Sequence, residues 1–156
     1  MKKYLLFLFL VGCGFRPMFS GTDTDIYVAP ISGINGIDLR NSLNAKFGGQ
    51  HNAGAKYTLS VRLSDPQLQY RALERTGDAS WQQVSLTADF VLTHGDDQIA
   101  TGHEVASESY TFVRYLVAAN AAQNNAVRNI INVLADKISI RAITSTTDYE
   151  REHADK

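Results

Sequence analysis

The chain has a single cysteine, three prolines and no unbroken apolar run longer than eight residues among its 156 positions. One cysteine excludes an intrachain disulfide and any site built from several thiolates. An apolar run of eight falls far short of the roughly 20 residues that carry a helix across a bilayer. The chain also lacks a strong charge of either sign, with 15 basic against 16 acidic residues and a net charge of −1. It therefore carries no electropositive footprint for nucleic acid. The last proline is Pro66 and the last glycine Gly102, so from Arg114 to about Ile143 nothing breaks a helix.

Catalytic patterns are missing as well. There is no Gly-x-Ser-x-Gly elbow and no glycine-rich phosphate loop before a helix. His51, His94, His103 and His153 match no zinc spacing and read as surface histidines. Asp96 and Asp97 follow Gly95 and read as a turn, while Glu104 and Glu108 alternate with Ser and Thr and read as a solvated strand face. The expectation is a protein that is not an enzyme and holds no metal or cofactor.

The most specific signal present lies at the N-terminus. Lys2 and Lys3 precede the apolar stretch Tyr4 to Val11, which ends at Gly12-Cys13. That is the layout of a secretory signal peptide. Leu10-Val11-Gly12-Cys13 matches the lipobox, whose cysteine sulfur receives a diacylglyceryl group before cleavage on its N-terminal side. Cys13 becomes the mature N-terminus in this reading, with N-acyl and S-diacylglycerol groups anchoring it; a single acyl chain binds a membrane only marginally, so stable anchoring needs more than one. Gly14 lacks the aspartate that retains many lipoproteins in the inner membrane, which favours the periplasmic side of the outer membrane. Loss of residues 1–12 leaves 13 basic against 16 acidic residues.

Residues 13–24 read as a lipidated tether, 25–147 as one domain, and 148–156 as a solvated polar tail. Within the domain, Ile26 and Val28 alternate with Tyr27 and Ala29 in a first strand that ends at Pro30. Asn35 is placed to cap a helix with Asp38 in its first turn, an apolar face of Leu39, Leu43 and Phe47, and a stop at Gly48-Gly49. Tyr57, Leu59, Val61 and Leu63 mark the next strand. After Pro66 the apolar pair Leu68 and Tyr70 falls on the other parity, so that strand bends or bulges before continuing towards a loop from Arg71 to Ser80. Val84, Leu86, Ala88, Phe90 and Leu92 alternate along one strand of a hairpin that turns at Gly95 to Asp97 and returns over Ile99 to Phe112. Tyr110, Phe112 and Tyr115 are assigned to the core of the sheet and helix entry. Leu116, Ala119, Val127, Ile130, Leu134 and Ile138 stripe a final helix that Thr144 to Thr147 end. The fold class is α+β: a two-layer sandwich with two long helices on one face of a four-stranded mixed or antiparallel sheet.

The opening Cys13-Gly14-Phe15-Arg16-Pro17-Met18-Phe19 is similar to the Cys-Gly-Phe-x-Pro-Leu-Tyr opening of the LptE family of lipopolysaccharide-assembly lipoproteins. Ile26-Tyr27-Val28-Ala29-Pro30-Ile31, Leu39-Arg40-Asn41-Ser42-Leu43, the Tyr57 to Leu63 strand and the Ala/Asn-rich Ala118 to Ala126 resemble that family's first strand, first helix, second strand and final helix in the same order. The resemblance implies two helices on a four-stranded sheet. It also implies a role as plug within the large outer-membrane barrel LptD, supporting its assembly and helping lipopolysaccharide reach the outer leaflet. Only Cys13 and the opening motif carry over residue by residue.

Arg71 and Arg75, beside Tyr70 and Trp81, are the candidate contact residues for a phosphorylated lipid or a partner barrel, because guanidinium groups pair with phosphates. The rival reading is a small ligand-binding lipoprotein, such as an accessory subunit of an inner-membrane transporter or a lipid carrier, which needs an apolar cavity of a few hundred Å³. A hydrolase with a scattered Ser/His/Asp site is the third reading.

Overall fold

The structure is a computed structural model that describes residues 24–73, 79–111 and 115–154. Its elements run β1 (Ile26–Val28), α1 (Ile34–Lys46), β2 (Tyr57–Leu63), β3 (Gln67–Leu73), β4 (Ala79–His94), β5 (Asp97–Thr111) and α2 (Leu116–Ala154). Two helices lie on one face of an open mixed sheet, as the alternation predicts. The sheet has five strands in four lanes, because β2 and β3 share one lane. Both run antiparallel to β4 along the same edge, β2 opposite Ala88–Thr93 and β3 opposite Ala79–Ser85.

Pro66 interrupts that lane, since it cannot donate to the ladder. Ser64 bridges the gap: its amide donates to the Thr87 carbonyl at 2.8 Å, and its hydroxyl accepts from the Thr87 amide at 3.0 Å. The inward parity changes across this break, from Tyr57 and Leu59 to Leu68, which pairs with the buried Val84. The expected bend is therefore a strand-to-strand joint. β1 completes the sheet by pairing parallel with β2, Ile26 opposite Tyr57 and Val28 opposite Leu59.

The hairpin of β4 and β5 is the long axis of the molecule. Its 16-residue strand spans about 50 Å. Gly95 and Asp96 form its two-residue turn, and Gly95 at φ +59° supplies the left-handed first position that a type II′ turn requires. His94 faces Asp97 as expected, whereas His103 faces Asp89 rather than Ala88, because the register slips beside Leu92.

The cap of α1 lies two residues before the expected one: Gly33 precedes the helix without a side-chain cap, and Asn35 lies inside its first turn. Asp38 falls beyond that turn. Leu39, Leu43 and Phe47 are buried as predicted. α2 departs further. It continues through Thr144–Thr147 to Ala154, so residues 148–154 are helix and not a loose tail. The threonine hydroxyls here donate back to helix carbonyls, Thr144 and Thr147 to Ile140 and Ile143 at 2.9 Å each, and satisfy themselves without ending the helix. Ala119, Val127, Ile130, Leu134 and Ile138 form the buried stripe. Leu116, assigned to that stripe, is 73% exposed.

The core lies between the helices and the sheet around Phe47, Phe90, Leu59, Leu92, Ile130 and Leu134, all at most 2% exposed. Burying a side chain of this size stabilises by about 1.5–3 kcal/mol.

Candidate functional site

The sheet and α2 give the molecule two unlike ends. The base holds the Gly95 turn, the start of β1 and the last turns of α2. The tip, at the opposite end of the hairpin, holds the end of β3, the start of β4 and the start of α2. Because Thr24 and Asp25 open β1, the segment leading back to Cys13 joins the domain at the base. Cys13 itself lies outside the described residues.

The tip exposes several large apolar side chains, two of which, Tyr115 and Leu116, the sequence assigns to the core. Tyr70 is 71% exposed, Tyr115 80%, Leu116 73% and Val117 83%, while Leu68 and Trp81 are about half exposed. Tyr115 is thus surface rather than helix-entry core. Tyr110 is half-buried and donates its hydroxyl to Gln82 Oε1 at 2.6 Å; burial, then the nearby Tyr70, raises its pKa. Phe112 lies outside the described residues. So does Arg75. Arg71 sits in β3, between Tyr70 opposite Gln82 and Ala72 opposite Trp81, so it is the extra residue of a β-bulge. Bulges bend a strand and re-aim its side chains.

The base is built from polar contacts. The rings of Tyr57, His94, Tyr149 and His153 follow one another at centroid spacings of 5.4, 5.3 and 4.1 Å. Lys56 Nζ donates to Glu150 Oε1 at 2.6 Å and Tyr57 donates its hydroxyl to the same oxygen at 2.9 Å. The lysine and tyrosine bonds hold the Glu150 carboxyl below its ordinary pKa, and Glu150 raises that of Lys56. Burial, reinforced by Glu150, pushes the Tyr57 hydroxyl up. These contacts tie the last turns of α2 to the start of β2. A surface cleft of about 470 Å³ here, open to solvent, is lined by Lys56, His94, Tyr149, Glu150, His153 and Ala154.

Among the described residues, ion pairs concentrate below the midpoint of the domain. Lys46 pairs with Asp136 on the helix face, and Arg141 with Glu104 at 3.1 Å between α2 and β5. Lys137 also reaches Glu104, at 3.8 Å, and donates to the Val105 carbonyl at 2.7 Å. Glu104 is therefore sheltered beneath α2, with a side chain only 14% exposed, rather than on a solvated face. Towards the tip, the α2 stretch Leu116–Val127 contains no charged residue. The other two histidines lie away from that ring series: His103 contacts Asp89 at 2.7 Å on the sheet, and His51 lies beside Asp25 and the Phe47 carbonyl. Among the described residues no three His, Cys, Asp or Glu side chains are grouped to hold a metal ion. No helix among them is long and apolar enough to cross a membrane.

Residues 24–142 match the profile of the family described as LptE, lipopolysaccharide-assembly. A search of curated proteins finds no sequence match. Several solved structures share the fold. A lipoprotein from Caulobacter crescentus superposes with a TM-score of 0.65 at 20% identity, covering 81% of this chain and 93% of its own. The rare lipoprotein B of Shewanella oneidensis gives 0.61 at 14%, covering 80% and 98%. Lipoprotein B of Nitrosomonas europaea gives 0.62 at 12%, covering 90% and 96%.

Proposed function

The chain belongs to the LptE lipopolysaccharide-assembly family, and from that premise we propose that it is an outer-membrane lipoprotein that plugs the lipopolysaccharide translocon barrel LptD. It supports the assembly of that barrel and aids insertion of lipopolysaccharide into the outer leaflet. Anchoring is through acylated Cys13 on the periplasmic side, and the domain acts by contact, not by catalysis.

The observation that carries this reading is the polarity of the domain. The tether joins an ion-paired base, and the far end, about 50 Å away along β4, presents an uncharged helix start and six partly or fully exposed apolar side chains. Large apolar side chains clustered on a surface mark a contact region. The bulge position of Arg71 would add a guanidinium to the aromatic side chains of the tip, a combination suited to a barrel interior or to a phosphorylated lipid, while Arg75 stays a candidate contact on the sequence alone.

Mild-detergent purification of the tagged lipoprotein tests the proposal. A large outer-membrane barrel recovered in near-equal amount supports it. Recovery alone, or with an inner-membrane transporter, discards the plug and promotes the ligand-binding reading. Replacing Cys13 with Ala should release a folded domain from the membrane, because the core begins at Ile26; a cooperative loss of far-UV circular dichroism in that variant would contradict the assignment of residues 13–24 as a tether.

A further inference from the structure

Both helices lie on one face of the sheet, and among the described residues none covers the opposite face. Side chains alternate across a strand, so each cross-strand pair on that face can be read from the register. On β4 and β5 the outward pairs include Gln83 with Ser109, Ser85 with Ser107, Thr87 with Val105, and Asp89 with His103. Ser60 and Arg62 of β2 continue the face on the other side of β4, opposite Val91 and Asp89. The outward residues of β5 from Thr101 to Thr111 are all exposed.

Three properties of this face bear on what it can meet. It is long, running nearly the whole length of the hairpin. From Gln83 to Thr93 it is lined mainly by hydroxyls and amides, with Val91 and Val105 as its aliphatic members on β4 and β5 and half-exposed Trp81 at its tip end. Its charges fall in a single row across three strands, Arg62, Asp89 and His103, with Asp89 in contact with both neighbours at 3.9 and 2.7 Å. That row is internally balanced, which leaves nothing to draw a phosphate or a basic partner.

A hydroxyl grid spaced about 4.8 Å between strands and 6.6 Å along them matches the spacing of any other β-wall whose facing residues are polar. The inner wall of a large outer-membrane barrel has that chemistry, since inward residues are polar and alternate with lipid-facing apolar ones. The tether gives the direction. Residues 13–23 reach at most about 40 Å from the membrane surface, and they join at the base, so the strands lead away from the anchored end. We infer that the open sheet face, from Ser60 and Arg62 across Thr87 and Asp89 to Ser107, is the surface that lies lengthwise against the inner wall of the partner barrel through side-chain hydrogen bonds and bridging waters. The inference rests on the plug reading and adds which face makes the contact.

Photo-crosslinking of the full lipoprotein in intact cells tests it. A photoreactive phenylalanine is placed singly at Ser60, Thr87 and Ser107 on the sheet, at Asn41, Arg128 and Ile140 on the helix layer, and at Tyr115 on the tip. Adducts with the barrel from the sheet positions, several-fold above those from the helix layer, are expected. Barrel adducts from the helix layer or tip without the sheet, or sheet adducts with a second copy of this chain, overturn the inference and leave the plug standing. Absence of a barrel adduct at every position, with no barrel in the purified material, overturns both. As a second readout, T87R/S107R should lower recovery of the barrel at least about tenfold by desolvating unpaired charge. Its melting temperature should match wild type, because both side chains point away from the core; unchanged recovery counts against the inference.

Discussion

The base and the tip are made from the same two elements, the β4–β5 hairpin and α2, yet they solve different problems. At the base, α1 adds a second helix to the layer, and the surface is knitted by pairs such as Lys46 with Asp136 and Lys56 with Glu150. At the tip α2 is alone over the sheet, its first turns carry no charge, and Tyr70, Tyr115, Leu116 and Val117 remain in solvent. Stability is built where α1 and α2 close on the sheet. Under the proposed function, recognition falls to the end where they do not. This division matches the general tendency of binding segments to be drawn from less stably packed regions.

The largest effect expected on stability comes from the centre of the core. Phe90 is 2% exposed, and Phe90→Ala should lower unfolding stability by about 3–5 kcal/mol through lost transfer energy and a residual cavity. Urea unfolding followed by circular dichroism measures it; a loss below about 1 kcal/mol would mean that the core is not centred there. Gly102 comes next, because it faces Phe90 across the hairpin and a Cβ there would overlap the phenylalanine ring. Gly102→Ala should cost about 1–3 kcal/mol by overpacking a ring that has no room to retreat. If the double variant with Phe90→Leu recovers part of that loss, the clash is the cause.

Much of this was legible in the sequence, and the misses share a physical origin. Period-two alternation located β2, β4 and β5, and the parity change after Pro66 located the joint between β2 and β3. The family is legible in the order of strands and helices between residues 24 and 142, whereas the lipobox and the opening motif lie outside that matched span and outside the described residues. The end of α2 was misread because Thr144–Thr147 are weak helix formers in isolation, whereas in place Thr146 is buried and Tyr149 and Glu150 reach the base. Tertiary contact overrides propensity there. Tyr115 and Leu116 were read as core because they are apolar and continue the helical period; periodicity cannot tell whether anything lies opposite. The charge-free stretch from Leu116 to Val127 was the available hint. The open sheet face was hidden for another reason: Ser and Thr at alternate positions show that a face is polar, not what it meets.

A smaller effect tests the base. Glu150 has its pKa lowered by Lys56 and Tyr57, so its contribution is present above the ordinary glutamate pKa and is lost as pH falls through the lower folded value. Lys56 has its pKa raised, so its share persists through neutral pH and disappears only as pH rises through its folded value on the alkaline side. Both side chains are half exposed, so solvent screening keeps the effect small. Glu150→Gln should lower Tm by at most about 2 °C near neutral pH. The variant and wild-type curves should converge in acid. A constant offset down to pH 2 would assign the loss to packing of the helix end instead.

The smallest change in stability should come from the tip, and there the comparison is sharpest. Leu116 and Val117 are 73% and 83% exposed, so replacing both with Ser removes little buried surface and should alter stability by no more than about 0.5 kcal/mol. If the tip serves recognition, the same double variant should lose most of its recovery of the outer-membrane barrel while keeping its Tm and its membrane anchoring. Trp81→Ala, at a half-exposed position on the neighbouring strand, should act in the same direction, and its fluorescence in the wild-type protein reports burial directly because it is the chain's single tryptophan. A blue shift of that emission on barrel binding would place the tip inside the contact. Full recovery of the barrel by the Leu116 and Val117 double variant would leave the open sheet face as the main contact and reduce those side chains to exposed apolar surface, reversing the division of labour drawn between the two ends.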